Sequence, residues 1–300
     1  MTFLIRGVFW LLSLAPDSLA ILLSRGIARL MVGFNARSAQ VAKTNFTHCF
    51  PELSDRTQKE MVLDTVTSST LLLFELAYLQ YRSIQKLLDK LISVEGEDKL
   101  KSAWQADGGV ILLMPHFGCW EFLSAYLGRT YPISALYAPP KVAALEDSIS
   151  ATRQRQGAKM HPTTASGLRS LMRGLRSGDL VVLLPDQVPE GSASRIDAPF
   201  FGRRALTMSL AQRLIRVGSP KVLMAAAWRD INQGQLCYRV CFEEPDQDIY
   251  SLDEVVHATA LNAGIEAIAQ RDLTQAHCQQ RRPARQAGPV GPVRPPHQAG

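Results

Sequence analysis

The chain has 300 residues, of which 46% are hydrophobic, and a net charge of +6. Its length and composition are typical of one large globular domain with appendages. The positive excess lies at the two ends, because the first 50 residues carry five Lys or Arg against one Asp, and the last 30 carry five Arg against one Asp. The central part has no basic excess, which argues against nucleic acid as a partner of the folded body.

Residues 1–33 are predicted to form an N-terminal membrane anchor. Pro16 interrupts the apolar run Gly7–Ala15, and no stretch supplies the ~20 uninterrupted apolar residues of a spanning helix. Arg25 and Arg29 lie among leucines and isoleucines, which is typical of an amphipathic helix in the membrane interface. A basic, apolar N-terminus suits the anionic cytoplasmic face of a membrane. A cleaved signal peptide and an ordinary docking helix are the alternatives.

Residues 34–275 are predicted to form the main domain. Ser54 begins a long helix to about Tyr81, in which Glu75 either points to solvent or serves a site. Strands are predicted near 91–94, 109–115, 133–137, 180–184, 221–227 and 236–242, and helices near 96–105, 119–129, 142–155, 165–176, 207–217 and 252–270. That alternation predicts an α/β fold with a largely parallel mixed sheet flanked by helices. Residues 276–300 form a basic, Pro- and Gly-rich tail, for which disorder is expected.

The segment His116–Glu121 carries the strongest chemical signal. It follows the apolar run Val110–Pro115, which reads as a buried strand, and open α/β sheets bind ligands at such strand ends. Residues five apart on one helix point about 140° away from each other, so His116 must lie on the turn and Glu121 on the next helix. Glu121 would then hold one ring nitrogen while the other takes a proton from an attacking hydroxyl. A structural histidine near a helix start is the alternative interpretation.

Four segments in order resemble the lysophospholipid acyltransferase superfamily, and specifically its lipid A late-acyltransferase branch of lauroyl and myristoyl transferases. They are Asn45–Leu53, Glu75 in its apolar helix, His116–Glu121 and Leu184–Pro189, the last extending into Ala198–Arg203 and Ala205–Thr207. The resemblance implies a glycerolipid-acyltransferase-like fold. It also implies transfer of a fatty acyl group from an acyl carrier protein thioester to a hydroxyl of a lipid A precursor, in lipopolysaccharide biosynthesis.

The same resemblance implies the partners and the place of action. Acyl carrier protein, a lipid A precursor and membrane lipids are the expected partners, at the cytoplasmic face of the bacterial inner membrane. No metal and no cofactor are expected beyond the acyl carrier co-substrate. Five cysteines without a CxxC pair fit free thiols in a reducing cytosol.

Acyl transfer to an alcohol needs a base for the hydroxyl and stabilisation of the negative carbonyl oxygen. His116 is the expected base, Glu121 is expected to fix its tautomer, and backbone N–H groups near Gly118 are the expected oxyanion donors. No Gly-x-Ser-x-Gly elbow is present. Cys119 is an alternative nucleophile, disfavoured because side chains at adjacent turn positions rarely meet. No covalent intermediate is therefore expected.

Several substrate-binding positions follow from the resemblance. Asp186 and Gln187 lie in a loop that shapes the substrate site in the family, and a polar turn capping the preceding strand is the alternative. Arg203 is expected either to contact a phosphate or the carrier protein, or to be an ordinary surface residue. Pro199–Gly202 is expected to supply apolar lining. Either Lys141 or Arg153 is expected to replace a cation that the family often places at the position of Ala138.

Two departures from the family leave alternatives open. Ala138 stands where that cation is common, and Gln275–Cys278 replaces an aromatic, basic ending, for which a frameshifted or divergent end is a hypothesis. Both departures keep a catalytically inactive lipid-binding relative as one alternative. Val188–Ser192 resembles the phosphate-binding Phe-Pro-Glu-Gly motif of glycerolipid acyltransferases, which makes such an enzyme the other alternative. Glu121, where those enzymes usually have Asp, favours the lipid A branch.

Overall fold

The computed structural model of the chain describes residues 2–137, 152–153, 157–187 and 195–276. Five regions singled out in the sequence lie wholly or largely outside the described residues: Ala138, Lys141, Val188–Ser192, the predicted helix 142–155 apart from residues 152–153, and the tail from residue 277 onward.

Five helices precede the first strand. They are α1 (Thr2–Leu14), α2 (Asp17–Gly33), α3 (Arg37–Cys49), α4 (Asp55–Tyr81) and α5 (Ile84–Leu88). The long helix α4 begins where the sequence predicts, because the hydroxyl of Ser54 accepts a hydrogen bond from the backbone N–H of Thr57 at 3.2 Å. Such an N-cap satisfies one of the N–H groups that have no partner within the helix.

The first two helices pack against α4. The hydroxyl of Tyr78 donates to the carbonyl of Ala15 at 2.8 Å, and the carboxylate of Asp17 accepts from the backbone N–H of Leu236 at 3.0 Å. Their outward surface exposes large apolar side chains, among them Leu4, Trp10, Leu11, Leu14, Leu22 and Leu30. The N-terminal helices therefore combine attachment to the folded body with an apolar outer surface.

Two stretches of helix are long and apolar enough to cross a membrane by length and composition. One is α4, of which 67% of the apolar window is buried inside the protein, as in a core helix. The other is the pair α2 and α3, which is bent by 79° between the two helices. Neither observation establishes a span.

A seven-stranded mixed sheet forms the centre of the described fold. Its strands are β1 (Leu91–Glu95), β2 (Val110–Leu113), β3 (Ile133–Tyr137), β4 (Ala158–Pro162), β5 (Leu180–Leu183), β8 (Lys221–Asn232) and β9 (Gln235–Glu243), while β6 (Arg195–Phe200) and β7 (Arg203–Met208) form a separate antiparallel pair. The order is β1-β9-β8-β2-β5-β3-β4, and all neighbours are parallel except β8 and β9. The carboxyl ends of β2 and β5 therefore lie side by side.

Helices cover both faces of the sheet. The remaining α-helices whose bounds the described residues give are α6 (Glu97–Gln105), α7 (Trp120–Leu127), α8 (Ala165–Arg176), α9 (Leu210–Ile215) and α10 (Glu254–Arg271). Alternate side chains of a strand point to opposite faces. Val110 and Leu112 of β2 accordingly join a core with α4 to α7, while Ile111 and Leu113 join a second core with α8 to α10. Burial on both faces explains why β2 and β5 are uninterrupted apolar runs.

The predicted fold class is confirmed, since the sheet is mixed, mostly parallel and flanked by helices. All six predicted strands are present near their predicted positions. The sequence patterns do not predict α3, α5, β4, β6 or β7, and the predicted helix 207–217 begins only at Leu210. The side-chain amide of Asn262 on α10 donates to the carbonyl of Pro199 and to the hydroxyl of Thr207, both at 2.8 Å. Tertiary hydrogen bonds of this kind hold the β6–β7 pair extended, and local periodicity cannot reveal them.

Candidate active site

His116 lies just beyond the end of β2, and Asp186 lies just beyond the end of the neighbouring strand β5. Nδ1 of His116 is 2.8 Å from Oδ1 of Asp186, and the backbone N–H of His116 donates to Oδ2 at 3.1 Å. The side chain of Asp186 is 4% exposed and that of His116 is 17% exposed. With the carboxylate ionised, Nδ1 carries the proton and donates, which leaves the lone pair on Nε2. This is the tautomer that a general base requires at Nε2.

Two further side chains contact the imidazole. Nε2 of Gln187 is 3.1 Å from Nε2 of His116, so the amide donates to the ring lone pair. The ring of Trp120 packs edge-on against the imidazole, with centroids 4.9 Å apart. The ring is therefore held on three sides, and Nε2 contacts a polar group that an incoming hydroxyl can displace.

Glu121 has a different partner from the one predicted. It lies in the first turn of α7, is 5% exposed, and pairs with Arg153, whose Nη2 and Nε lie 2.5 Å and 3.4 Å from the two carboxylate oxygens. Burial alone would lower the pKa of Arg153, but the charge and the hydrogen bond of Glu121 outweigh burial and raise the pKa. The predicted hydrogen bond in which Glu121 accepts from His116 is thus wrong, because Asp186, which follows the adjacent strand, accepts from Nδ1 instead.

The predicted oxyanion donors near Gly118 are also engaged elsewhere. The backbone N–H of Gly118 donates to the carbonyl of Gln275, and that of Cys119 donates to the carbonyl of Ala227, both at 2.9 Å. Gly118 has a φ of +55°, and a Cβ atom there would lie 2.0 Å from the oxygen of Ala227. The turn therefore requires glycine for close packing, and its N–H groups serve that packing.

The alternative nucleophile Cys119 is buried, with 1% exposure. Burial raises the pKa of its thiol well above the ordinary value. A thiol, rather than the reactive thiolate, is thus the stable form at neutral pH. Within the ranges that the structure describes, no group of three His, Cys, Asp or Glu residues is placed to hold a metal ion.

A largely apolar cleft opens beside His116 and Asp186. It lies between α3, the β6–β7 pair and α10 and is partly open to solvent, with a cavity volume of about 100 Å³. Its apolar wall includes Ala42, Phe46, Phe50, Phe200, Phe201, Ala205, Ile265, Ile268, Ala269 and Leu273. Phe50 and Phe201 contact edge to face, with ring centroids 5.2 Å apart. The two polar side chains at the strand ends thus adjoin a surface suited to a hydrocarbon chain.

The structure brings predicted site residues together in two groups. Asp186 and Gln187 both contact His116, and Arg153 contacts Glu121. Arg203 is exposed and lines the cleft, where its Nε donates to the carbonyl of His48 at 3.1 Å. Lys141 lies outside the described residues.

The sequence analysis identified Pro199–Gly202 as apolar lining but missed Phe46 and Phe50 on the opposite side of the cleft, and it missed the pairing of His116 with Asp186. The pairing does have a sequence signal, since two apolar runs each end in Pro followed by a polar residue, His116 in one and Asp186 in the other. Parallel strands that are adjacent bring such ends together. The pairing of His116 with Asp186 can be predicted only if β2 and β5 are known to be neighbours, and the sequence does not give the strand order.

The family model and the known proteins that are similar to this chain all carry names from lipid A biosynthesis. A family model described as bacterial lipid A biosynthesis acyltransferase matches residues 1–282. The chain is 27% identical over 261 residues to a lipid A biosynthesis palmitoleoyltransferase of Escherichia coli (strain K12), covering 87% of this chain and 83% of that protein. It is 24% identical over 201 residues to a lipid A biosynthesis lauroyltransferase of the same organism, covering 67% and 64%. A lipid A biosynthesis acyltransferase of Haemophilus influenzae is 26% identical over 222 residues, covering 72% and 68%.

Proposed function

Because the chain belongs to the bacterial lipid A biosynthesis acyltransferase family, we propose that it transfers a fatty acyl group from an acyl carrier protein thioester to a hydroxyl of a lipid A precursor. The observation that carries this proposal is the 2.8 Å contact between Nδ1 of His116 and Asp186. It leaves Nε2 as the acceptor nitrogen beside a cleft lined by apolar side chains. A base and a place for a hydrocarbon chain are what this reaction needs.

His116 acts as the general base in the proposed mechanism. The acceptor hydroxyl displaces the amide of Gln187 from Nε2, and His116 takes its proton as the oxygen attacks the thioester carbonyl. Asp186 stabilises the imidazolium that forms. The tetrahedral intermediate then expels the carrier thiolate, which takes the proton from Nε2. The products are an ester and a free thiol, and His116 returns to its starting state.

Arg153 supplies positive charge to the negative oxygen of the intermediate. Its guanidinium is held by two contacts to Glu121, on the helix that follows the His116 turn. A partly buried cation stabilises a developing negative charge more strongly than one in water, because the local dielectric constant is lower. Glu121 acts through Arg153 in this proposal, and the reaction needs no metal or cofactor.

The acyl chain occupies the apolar cleft. Each buried methylene contributes ~0.8 kcal/mol of gross binding energy, so a medium-length chain gains several such increments. Small residues in the wall, such as Ala42 and Ala269, leave room that larger side chains would fill. Arg203, exposed on the same cleft, is placed to bind a phosphate of the acceptor or an acidic side chain of the carrier.

Membrane lipids contact the outer surface of α1 and α2. Leu22 and Leu30 are 64% and 62% exposed, and the exposed cations Arg25 and Arg29 lie on the same helix. Apolar side chains combined with basic ones favour the surface of an anionic bilayer. We place the protein at the cytoplasmic face of the inner membrane, where a lipid acceptor and a cytosolic acyl carrier meet.

A reconstitution assay tests the function. The purified full-length protein is given an acyl carrier protein thioester with either a lipid A precursor or lysophosphatidate, and the acylated products are identified by mass spectrometry. Acylation of the lipid A precursor alone is the expected result. Acylation of lysophosphatidate instead would identify a glycerolipid acyltransferase, and binding of either lipid without turnover would identify an inactive relative.

A further inference from the structure

A buried ion pair that the proposed mechanism does not use contacts the turn that carries His116. The side chains of Glu75 on α4 and Arg229 on β8 are 1% and 4% exposed. Nε of Arg229 donates to Oε1 of Glu75 at 2.6 Å, and Nη2 lies 2.6 Å from Oε2. Apolar replacement of such a pair often leaves stability unchanged or raises it, so stability alone does not explain why two charges are buried here.

The guanidinium uses its remaining donors to connect α4 with the His116 turn. Nη1 donates to the hydroxyl of Ser68 at 2.7 Å, and Nη2 donates to the carbonyl of Gly118 at 2.9 Å. Glu75 is fixed in turn, because Oε1 also accepts from the hydroxyl of Tyr238 at 3.0 Å. Gly118 lies two residues after His116 and three before Glu121. Arg229 therefore binds the short segment that connects His116 to Glu121.

A second set of contacts holds the same turn from the C-terminal side. The side-chain amide of Gln275 accepts from the backbone N–H of Arg229 at 2.8 Å and donates to its carbonyl at 2.9 Å. The backbone carbonyl of Gln275 accepts from the N–H of Gly118 at 2.9 Å. Arg229 therefore binds the carbonyl of Gly118 directly, and its backbone also holds Gln275, whose carbonyl binds the N–H of Gly118.

We propose that Glu75 and Arg229 are positioning residues, which hold the carbonyl of Gly118 and thereby set where His116 and Glu121 lie relative to each other. They do not touch the substrate. The kinetic part of this inference rests on the proposed function, whereas its structural part does not. A displacement of about 1 Å of a reacting group can lower a rate by ~10²-fold, which is the size of effect expected here.

A double variant, Glu75→Met with Arg229→Met, removes both charges together and leaves neither one buried alone. Its matched control is Asp230→Met with Arg239→Met. This variant removes an ion pair between β8 and β9, in which Nε of Arg239 lies 2.5 Å from Oδ2 of Asp230, the residue next to Arg229. We expect kcat of the first variant to fall by ~10²-fold with KM for donor and acceptor nearly unchanged. We expect the control to keep its kcat. An unchanged kcat, a loss that lies in KM, or an equal loss in the control would each overturn the proposal.

Amide hydrogen exchange of the full-length protein separates the positioning role from the proposed function. Exchange of a peptide that spans Phe117–Cys119 should become about tenfold faster in the double variant, while peptides from β2 and β5 keep their protection. Unchanged exchange at the turn overturns the proposal even if the enzyme is active. Faster exchange supports it even if the protein transfers no acyl group to a lipid A precursor, in which case the proposed function fails alone.

The single variant Arg229→Lys provides the same test if the double variant does not fold. Lysine keeps the charge beside Glu75, but its single ammonium lacks the planar fork that reaches both Glu75 and Gly118. We expect faster exchange at the turn and a kcat between those of the wild type and the double variant. Wild-type exchange at the turn together with wild-type kcat would contradict the proposed role of the fork.

Discussion

Asp186 binds His116 twice, with one carboxylate oxygen on Nδ1 of the ring and the other on the backbone N–H. The double contact fixes both the tautomer of the imidazole and its position at the end of β2. It joins two residues that lie just beyond the ends of adjacent parallel strands, so the buried centre of the sheet fixes where the two turns meet. A base held in this way needs no large rearrangement before it accepts a proton.

Replacing the carboxylate of Asp186 by an amide tests this relationship. In Asp186→Asn the side chain has a similar shape but can donate to Nδ1, which favours the tautomer with its proton on Nε2. We expect kcat to fall by ~10²–10⁴, as for the loss of the orienting acid in other acid–histidine pairs. Asp197→Asn, which breaks an exposed ion pair with Arg204, is the control and should keep its rate. An active Asp186→Asn enzyme would show that another group fixes the tautomer.

A double-mutant cycle tests whether Glu121 and Arg153 act as one unit. Glu121→Gln and Arg153→Met should each lower kcat by ~10²-fold, and the double variant should lose little more than either single one, since residues that act together are non-additive. Steady-state rates with the acyl carrier thioester measure all four proteins. Fully additive losses, or losses found only in KM, would contradict a joint role in charge stabilisation.

Larger side chains in the cleft wall should change which acyl-chain length the protein prefers. Ala42→Leu and Ala269→Leu each add bulk to the apolar lining. Since each excluded methylene forfeits ~0.8 kcal/mol, the ratio of rates for longer over shorter donors should fall by roughly tenfold once two methylenes are excluded. Competition between acyl carrier thioesters of different lengths measures this ratio. The control is Ala103→Leu, which adds the same bulk to the core that the sheet forms with α4 to α7. An equal change of the ratio in this control would mean that the cleft does not hold the chain.

The outer surface of α2 predicts how the protein attaches to membranes. Leu22→Gln combined with Leu30→Gln removes two exposed apolar side chains without touching the buried contacts to α4. We expect clearly weaker co-sedimentation with anionic lipid vesicles, because less apolar area enters the interface. Leu252→Gln changes a leucine that is 76% exposed elsewhere and should bind vesicles like the wild type. Equal binding of all three proteins would place the attachment surface outside α2.

Much of the fold could be predicted from the sequence because buried strands and capped helices have local signatures. The apolar runs of β2 and β5 and the N-cap at Ser54 are all confirmed, as is the family that the ordered motifs resemble. The β8–β9 hairpin also has a local signal, a two-residue loop whose Gln233 and Gly234 have φ of 50° and 78°, typical of a tight hairpin turn. In the sequence only the dipeptide Gln233–Gly234 marks this turn, and the hairpin is not among the predictions.

The partners of the site residues could not be predicted in the same way. His116 and Asp186 are 70 residues apart in the chain and meet only because β2 and β5 are adjacent. The five-residue spacing of His116 and Glu121 wrongly indicated a direct contact, since Arg153 competes for the carboxylate. Glu75 was ambiguous for a related reason, because its buried partner Arg229 lies 154 residues away. Spacing within one segment identifies chemical groups, whereas strand order decides which of them pair.

The most direct test of the account is the single-turnover rate of His116→Ala with a bound acyl carrier thioester and a lipid A precursor. If His116 is the general base, this rate should be lower by ~10²–10⁴, the usual contribution of such a base, with donor binding and the thermal unfolding midpoint close to those of the wild type. A rate near that of the wild type would contradict the assignment of His116 as the base.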